Sequence, residues 1–219
     1  MRALTPEEVQ ILLNQAQNSY YYPIIYTAVS TGLRESELAA LKWRAVDPDI
    51  MLSISVSQTL YKRRGICEFK EPKTTHSRRR VSMTPKLACF LRYYRAEREK
   101  VYHELEKELT PDDLVFTSVN MEPLNPSVLT HNFVKIAKKA GLEGVRFHDL
   151  RHTFASLMLL RGGKPKVISE ALGHSSVAFT MDVYSHIIEG MQQDAIALLD
   201  EVLPEAAVKN SVAHLSPTI

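Results

Sequence analysis

The chain has 219 residues, 45% of them hydrophobic and 24% charged, enough to bury a core as one domain or as a large domain with a tail. It has no run of about 18 apolar residues and no basic start leading into an apolar stretch, so neither a membrane span nor a secretory signal is indicated. The formal charge of +2 conceals a segregation: residues 61–80 and residues 134–166 each hold eight Lys and Arg against two acids, as a nucleic-acid face with an acidic back would.

Thr5-Pro6-Glu7-Glu8 reads as a capping box with Pro at the first helical position, opening an amphipathic helix to about Gln17. A second helix fills Tyr20 to Ser30 and stops at Gly32, and a third runs from Arg34 to Leu41, with Arg34 and Glu37 three apart on one face. Short β-branched or alternating runs at Met51–Val56, Ile66–Phe69 and Arg79–Met83, separated by basic turns, predict a small antiparallel sheet with Lys73 in its last connection. A basic tip of this kind can enter a DNA groove. Thr84-Pro85 caps a long helix to about Leu109, Asp112–Phe116 is a short extended piece, and Pro126–Ala140 is a helix ended by Gly141. Helices over Val145–Leu160, Lys164–Leu172 and Ser176–Ser185 follow, punctuated by Gly162, Gly163 and Gly173. Met191, Ala195, Leu198, Leu199 and Val202 have helical spacing, and Pro204–Ile219 reads as a loose tail. The expected class is α+β, mainly helical. Cys67 and Cys89 lack a CxxC spacing and read as reduced thiols.

Arg34, His148-Asp149-Leu150-Arg151-His152, Leu172-Gly173-His174 and Tyr184 bring two guanidiniums, imidazoles and a phenol to the edges of separate predicted helices. That set suits a phosphodiester, because negative charge grows on the non-bridging oxygens under attack and two Arg forks can hold them. His148 and Arg151 stand three apart and can reach one ligand from one helical face. Tyr184 is then the candidate nucleophile, its phenol needing a nearby base or a cationic field, since a free phenol has a pKa of about 10.

These motifs, with Thr31-Gly32-Leu33-Arg34-Glu35-Ser36-Glu37-Leu38, the basic loop around Lys73 and Tyr184-Ser185-His186, resemble in order those of the tyrosine recombinases, in particular the integrases of temperate phages and integrative elements. The resemblance runs from about Leu4 to Ile188 and implies their catalytic fold. By it Arg34 and Arg151 clamp phosphate, His148 handles the nucleophile's proton, and His174 donates to the phosphate. Lys73 protonates the leaving 5′-hydroxyl, Glu37 supports the site without reacting, and Tyr184 becomes joined to the 3′-phosphate. Lys62, Arg63, Arg64, Lys70, Arg78, Arg79 and Arg80 are the expected DNA contacts.

The resemblance further implies residues 1–190 as catalytic domain and 191–219 as a C-terminal helix and tail, which docks on a neighbouring protomer or packs in cis. The chain starts almost at the catalytic portion, so the family's N-terminal DNA-binding domain is absent, and the chain is a fragment or a naturally short protein. Expected partners are double-stranded DNA attachment sites, a homotetramer on DNA and accessory DNA-bending or directionality proteins, in the cytoplasm at the nucleoid. No cofactor is expected: there is no GxxxxGK[ST] run for ATP, and the chemistry needs no metal.

Three rival readings stand beside this one. His148 and His152, at i and i+4, could share a zinc ion as in HExxH hydrolases, though Arg151 would set a cation beside the metal and no third-ligand motif follows. A non-catalytic DNA-binding module would not need the full reactive set. A topoisomerase of the IB type would share the chemistry without exchanging strands. His152, His186 and Trp43 read as packing or neighbouring residues, and Asp149 as a cap or pairing partner.

Overall fold

A computed structural model describes residues 2–63, 66–71, 78–174 and 176–184, the side chains of Lys62 and Arg63 excepted. The chain divides into a unit of residues 1–183 and a second of residues 184–219, of which Tyr184 alone is described.

Eight helices and five strands are seen among the described residues. Helix α1 (Pro6–Ala16) starts where the sequence signals it: the Thr5 hydroxyl accepts from the Glu8 N–H at 3.2 Å and the Glu8 carboxylate accepts from the Thr5 N–H at 3.0 Å. Helix α2 (Tyr22–Thr31) is mainly apolar, and its buried Thr27 and Thr31 hydroxyls donate to the carbonyls of Pro23 and Thr27 one turn back. Helix α3 (Glu35–Ala39) has Arg34 as its N-cap and ends two residues before the expected Leu41. A 3₁₀ turn, Trp43–Ala45, leads into the strands.

The expected single sheet is two. Strands β1 (Val46–Asp47), β2 (Ser53–Val56) and β5 (Arg79–Ser82) pair antiparallel in the order β1-β2-β5, while β3 (Thr59–Arg63) and β4 (Ile66–Lys70) form a separate hairpin. In the first sheet Ile54 faces Val81 and Val56 faces Arg79, so Arg79 lies on the face that carries the apolar residues.

Helix α4 (Pro85–Glu104) stops short of Leu109, because Glu106 turns to φ 55° and the Lys107 N–H returns to the Tyr102 carbonyl. Asp112–Phe116 makes a lone bridge, Leu114 to Lys42, rather than a strand. Helices α5 (Pro126–Lys139), α6 (Asp149–Leu160), α7 (Pro165–Leu172) and α8 (Val177–Val183) complete the unit. Helix α6 begins later than the sequence suggests, since the Asp149 carboxylate takes the Arg146 N–H and guanidinium and holds residues 146–149 as a turn of their own.

The core gathers Leu12, Ile24, Ile25, Leu38, Ile54, Leu87, Leu91, Leu129, Phe133 and Leu150, all fully buried, with Phe133 edge-on to Phe147. No helix among the described residues is long and apolar enough to cross a membrane.

Candidate active site

Helix α2 ends at Gly32 in the left-handed region, φ 65°, and a Cβ there would fall 2.5 Å from the Phe154 ring and 2.8 Å from a Leu172 methyl. Only glycine satisfies both the backbone angle and the close approach of α6 and α7. Two residues on, Arg34 enters α3. Arginine has no acceptor with which to cap, so the cap comes from below: the Glu37 carboxylate takes the Arg34 N–H at 2.8 Å and its Nη1 at 2.9 Å.

Arg151, on α6, is buried, and its guanidinium donates to the carbonyls of Gly32 at 2.8 Å and Leu172 at 2.5 Å. Those two carbonyls lie two residues before Arg34 and two before His174. One side chain therefore fixes both turns that deliver the other candidate residues.

His174 follows Gly173, the left-handed cap of α7 at φ 66°, and its N–H returns to the Ser169 carbonyl. Its Nδ1 meets the hydroxyl of buried Thr180 at 2.8 Å, and Phe179 packs edge-on at 4.9 Å. Burial and then the positive charges of Arg151 and Arg34, with smaller effects of His152 and Arg79, push its pKa down to about 4. His148 is held below the ordinary histidine value by burial first and by Arg151 next, with Arg34 and Arg146 adding and Asp149 opposing. Burial and the charge of His148 lower His152 to about 4, and its ring lies edge-on to His148 at 5.1 Å. Both guanidiniums thus act on both candidate imidazoles: Arg34, His148, Arg151 and His174 share one electrostatic neighbourhood, with Glu37 bound to Arg34. Neutral rings there can accept a proton or donate one N–H, and the two arginines favour an anion.

The predicted DNA contacts part company. Lys70, Arg78 and Arg80 are exposed; Lys70 pairs with Glu68 at 2.7 Å and lies 5.7 Å from the Tyr61 ring centre, while Arg78 pairs with Glu71. Arg79 turns inward instead: its side chain is 6% exposed and grips Glu37 with two hydrogen bonds of 2.8 Å. Arg64, Lys73 and the Met191–Leu203 helix lie outside the described residues, as do the side chains of Lys62 and Arg63. Tyr184 is the last described residue and the first of the second unit. Among the described residues, no three His, Cys, Asp or Glu stand together in a way that could hold a metal ion. Arg79 is thus not the DNA contact expected of it, and neither its inward turn nor the Thr180 partner of His174 is part of the sequence reading; the alternation Arg79, Val81, Met83 is the available signal for the first, and nothing marks the second.

Residues 2–190 match the phage integrase family. The chain belongs to that family. Similar proteins include the ICEBs1 integrase of Bacillus subtilis (strain 168), 31% identical over 205 residues that make up 93% of this chain and 55% of that one. A tyrosine recombinase XerC-like protein of Caldanaerobacter subterraneus is 28% identical over 218 residues, 92% of this chain and 54% of that one. The chain thus spans about half the length of the curated relatives it matches. Among solved structures, XerA recombinase superposes with a TM-score of 0.70 at 27% identity, over 89% of this chain and 65% of that one. The Tn1549 transposon integrase, solved with transposon right-end DNA, gives 0.71 at 25% identity, over 84% and 61%. The fold of this phage integrase family member is that of a tyrosine recombinase catalytic domain, about half helical with small antiparallel sheets.

Proposed function

We propose that this chain carries the catalytic domain, over residues 1–190, of a site-specific DNA recombinase that cuts and rejoins strands by transesterification. The observation that carries the reading is the convergence of Arg34 and Arg151 on His148 and His174, an anion site with two neutral imidazoles. Relatives named integrase and a neighbour solved with DNA support the choice of a DNA phosphodiester as the anion.

In this mechanism the two arginines hold the non-bridging oxygens, whose charge rises as the phosphorus is attacked. His148, neutral at pH 7, accepts the phenolic proton as Tyr184 attacks, and His174 donates a hydrogen bond to the phosphate. Lys73 protonates the departing 5′-hydroxyl. The 3′-phosphotyrosyl bond keeps the energy of the broken linkage, so a 5′-hydroxyl of the partner strand reverses the step without ATP. Lys62, Arg63, Arg64, Lys70, Arg78 and Arg80 meet the DNA backbone. Strand exchange takes four copies on double-stranded attachment sites at the nucleoid, with accessory DNA-bending or directionality proteins.

Tyr184→Phe tests this reading on a nicked suicide duplex. DNA binding within about twofold of the parent, with no covalent adduct, is the expected result; an undiminished adduct would remove Tyr184 from its role.

A further inference from the structure

The Arg79 guanidinium and the Glu37 carboxylate form the most enclosed ion pair among the described residues, with side-chain exposures of 6% and 2%. They sit directly behind Arg34. The grip is a parallel fork, Nη1 to Oε1 and Nη2 to Oε2, both at 2.8 Å. The same two oxygens also take Nη1 and the backbone N–H of Arg34, so Glu37 receives four N–H donors from two arginines. Among the described residues the Arg34 side chain makes no other hydrogen bond.

We propose that Arg79 is a positioning residue: by saturating Glu37 it lets Glu37 orient Arg34 without neutralising it. The proposal rests on the recombinase reading for the identity of the anion that Arg34 meets. One carboxylate stands between two guanidiniums, so a net unit of positive charge is left over. Arg79 is sealed in, and the Arg34 side chain is 36% exposed, so the surplus is presented on the outward side. Remove Arg79 and the buried carboxylate has one cation to satisfy it. Arg34 and Glu37 then close into a neutral pair, and an entering phosphate must compete with a desolvated carboxylate for the same fork.

A second contact suits this role. Arg79 Nε donates to the Ala171 carbonyl at 2.6 Å, next to the Leu172 carbonyl that receives Arg151. A Cβ at Gly173 would come within 3.0 Å of Arg79 Nη1, so the turn before His174 is packed directly on this guanidinium. Arg79 thereby touches the supports of Arg34, Arg151 and His174 at once, from a strand whose alternation turns it toward the core.

The test is a double-mutant cycle on the 219-residue chain, reading both equilibrium affinity for duplex DNA carrying an attachment site and the rate of adduct formation on the nicked duplex. Arg79→Met is expected to weaken affinity and slow the adduct by about 10- to 100-fold, the scale by which loss of an outer hydrogen-bonding partner weakens metal-ligand sites. Glu37→Gln added to Arg79→Met is expected to recover part of both losses, because the unpaired carboxylate that captures Arg34 is gone. Arg79→Lys, which keeps the charge without the fork, is expected between parent and Met variant, and it carries the test if the Met variant melts before assay. Losses that add in the double variant, or an Arg79→Met chain indistinguishable from the parent, overturn the proposal. If every chain, the parent included, binds DNA and forms no adduct, the recombinase reading falls, while the affinity cycle still decides the role of Arg79.

Discussion

At pH 7 the imidazoles of His148, His152 and His174 are neutral, each held below the ordinary histidine value by burial and by neighbouring positive charge. In the unfolded chain these groups take up a proton near pH 6.5, whereas His152 and His174 in the folded chain resist until about pH 4. Between those values the unfolded state binds more protons, so stability rises with pH across the window and is lost as pH falls through it. Denaturant midpoints measured from pH 7 to pH 4.5 should fall steadily, and His174→Gln should flatten the slope. A midpoint constant over that range would contradict the enclosure of these rings. The carboxylates of Glu37 and Asp149, both shifted down, lose their contribution at still lower pH, whereas half-buried Glu35, shifted up by burial, opposes the histidine trend at the acid end of the window. For Glu37 burial alone would raise the value, and the hydrogen bonds and charges of Arg79 and Arg34 overcome it. The grouping of Arg34, His148, Arg151 and His174 was readable, because two guanidiniums and two imidazoles at those motif positions suit one anion. Arg79 departs from its sequence reading: a run of three arginines reads as surface charge, while strand alternation divides it into one inward and two outward side chains.

Helix starts were the most legible elements, since a cap is a local hydrogen-bonding problem solved within four residues. At the Thr5 box both reciprocal bonds are present, and Thr5→Ala should cost about 1 kcal/mol, read as a lower denaturation midpoint. No change in stability would mean that the end frays in solution. Gly32 was equally readable as a stop. Its second duty, giving space to Phe154 and Leu172, depends on residues more than a hundred positions away and left no local trace. Strand β4 matches the expected Ile66–Phe69 run, whereas β3 left no such mark: among its described side chains Leu60 alone is a buried hydrophobic, so no alternation signals the strand, and pairing with β4 defines it. Strands of this kind depend on their partners more than on their own residues.

For the whole molecule, the charge distribution supports a prediction that no single contact would. The two basic windows sit within a chain of nearly balanced charge, and Lys70, Arg78 and Arg80 keep their side chains in solvent. If they meet DNA phosphates, the logarithm of affinity should fall linearly with the logarithm of salt, and Arg80→Gln should reduce the slope by about 0.9. An unchanged slope would place the DNA on another face. Arg151 has a wider bearing on how any mutational scan of this protein is interpreted. Because its guanidinium joins the closing turns of α2 and α7 to α6, a substitution there unfastens architecture and reactivity together. An inactive Arg151 variant is therefore informative about phosphate chemistry only when accompanied by proof that the three helices still meet.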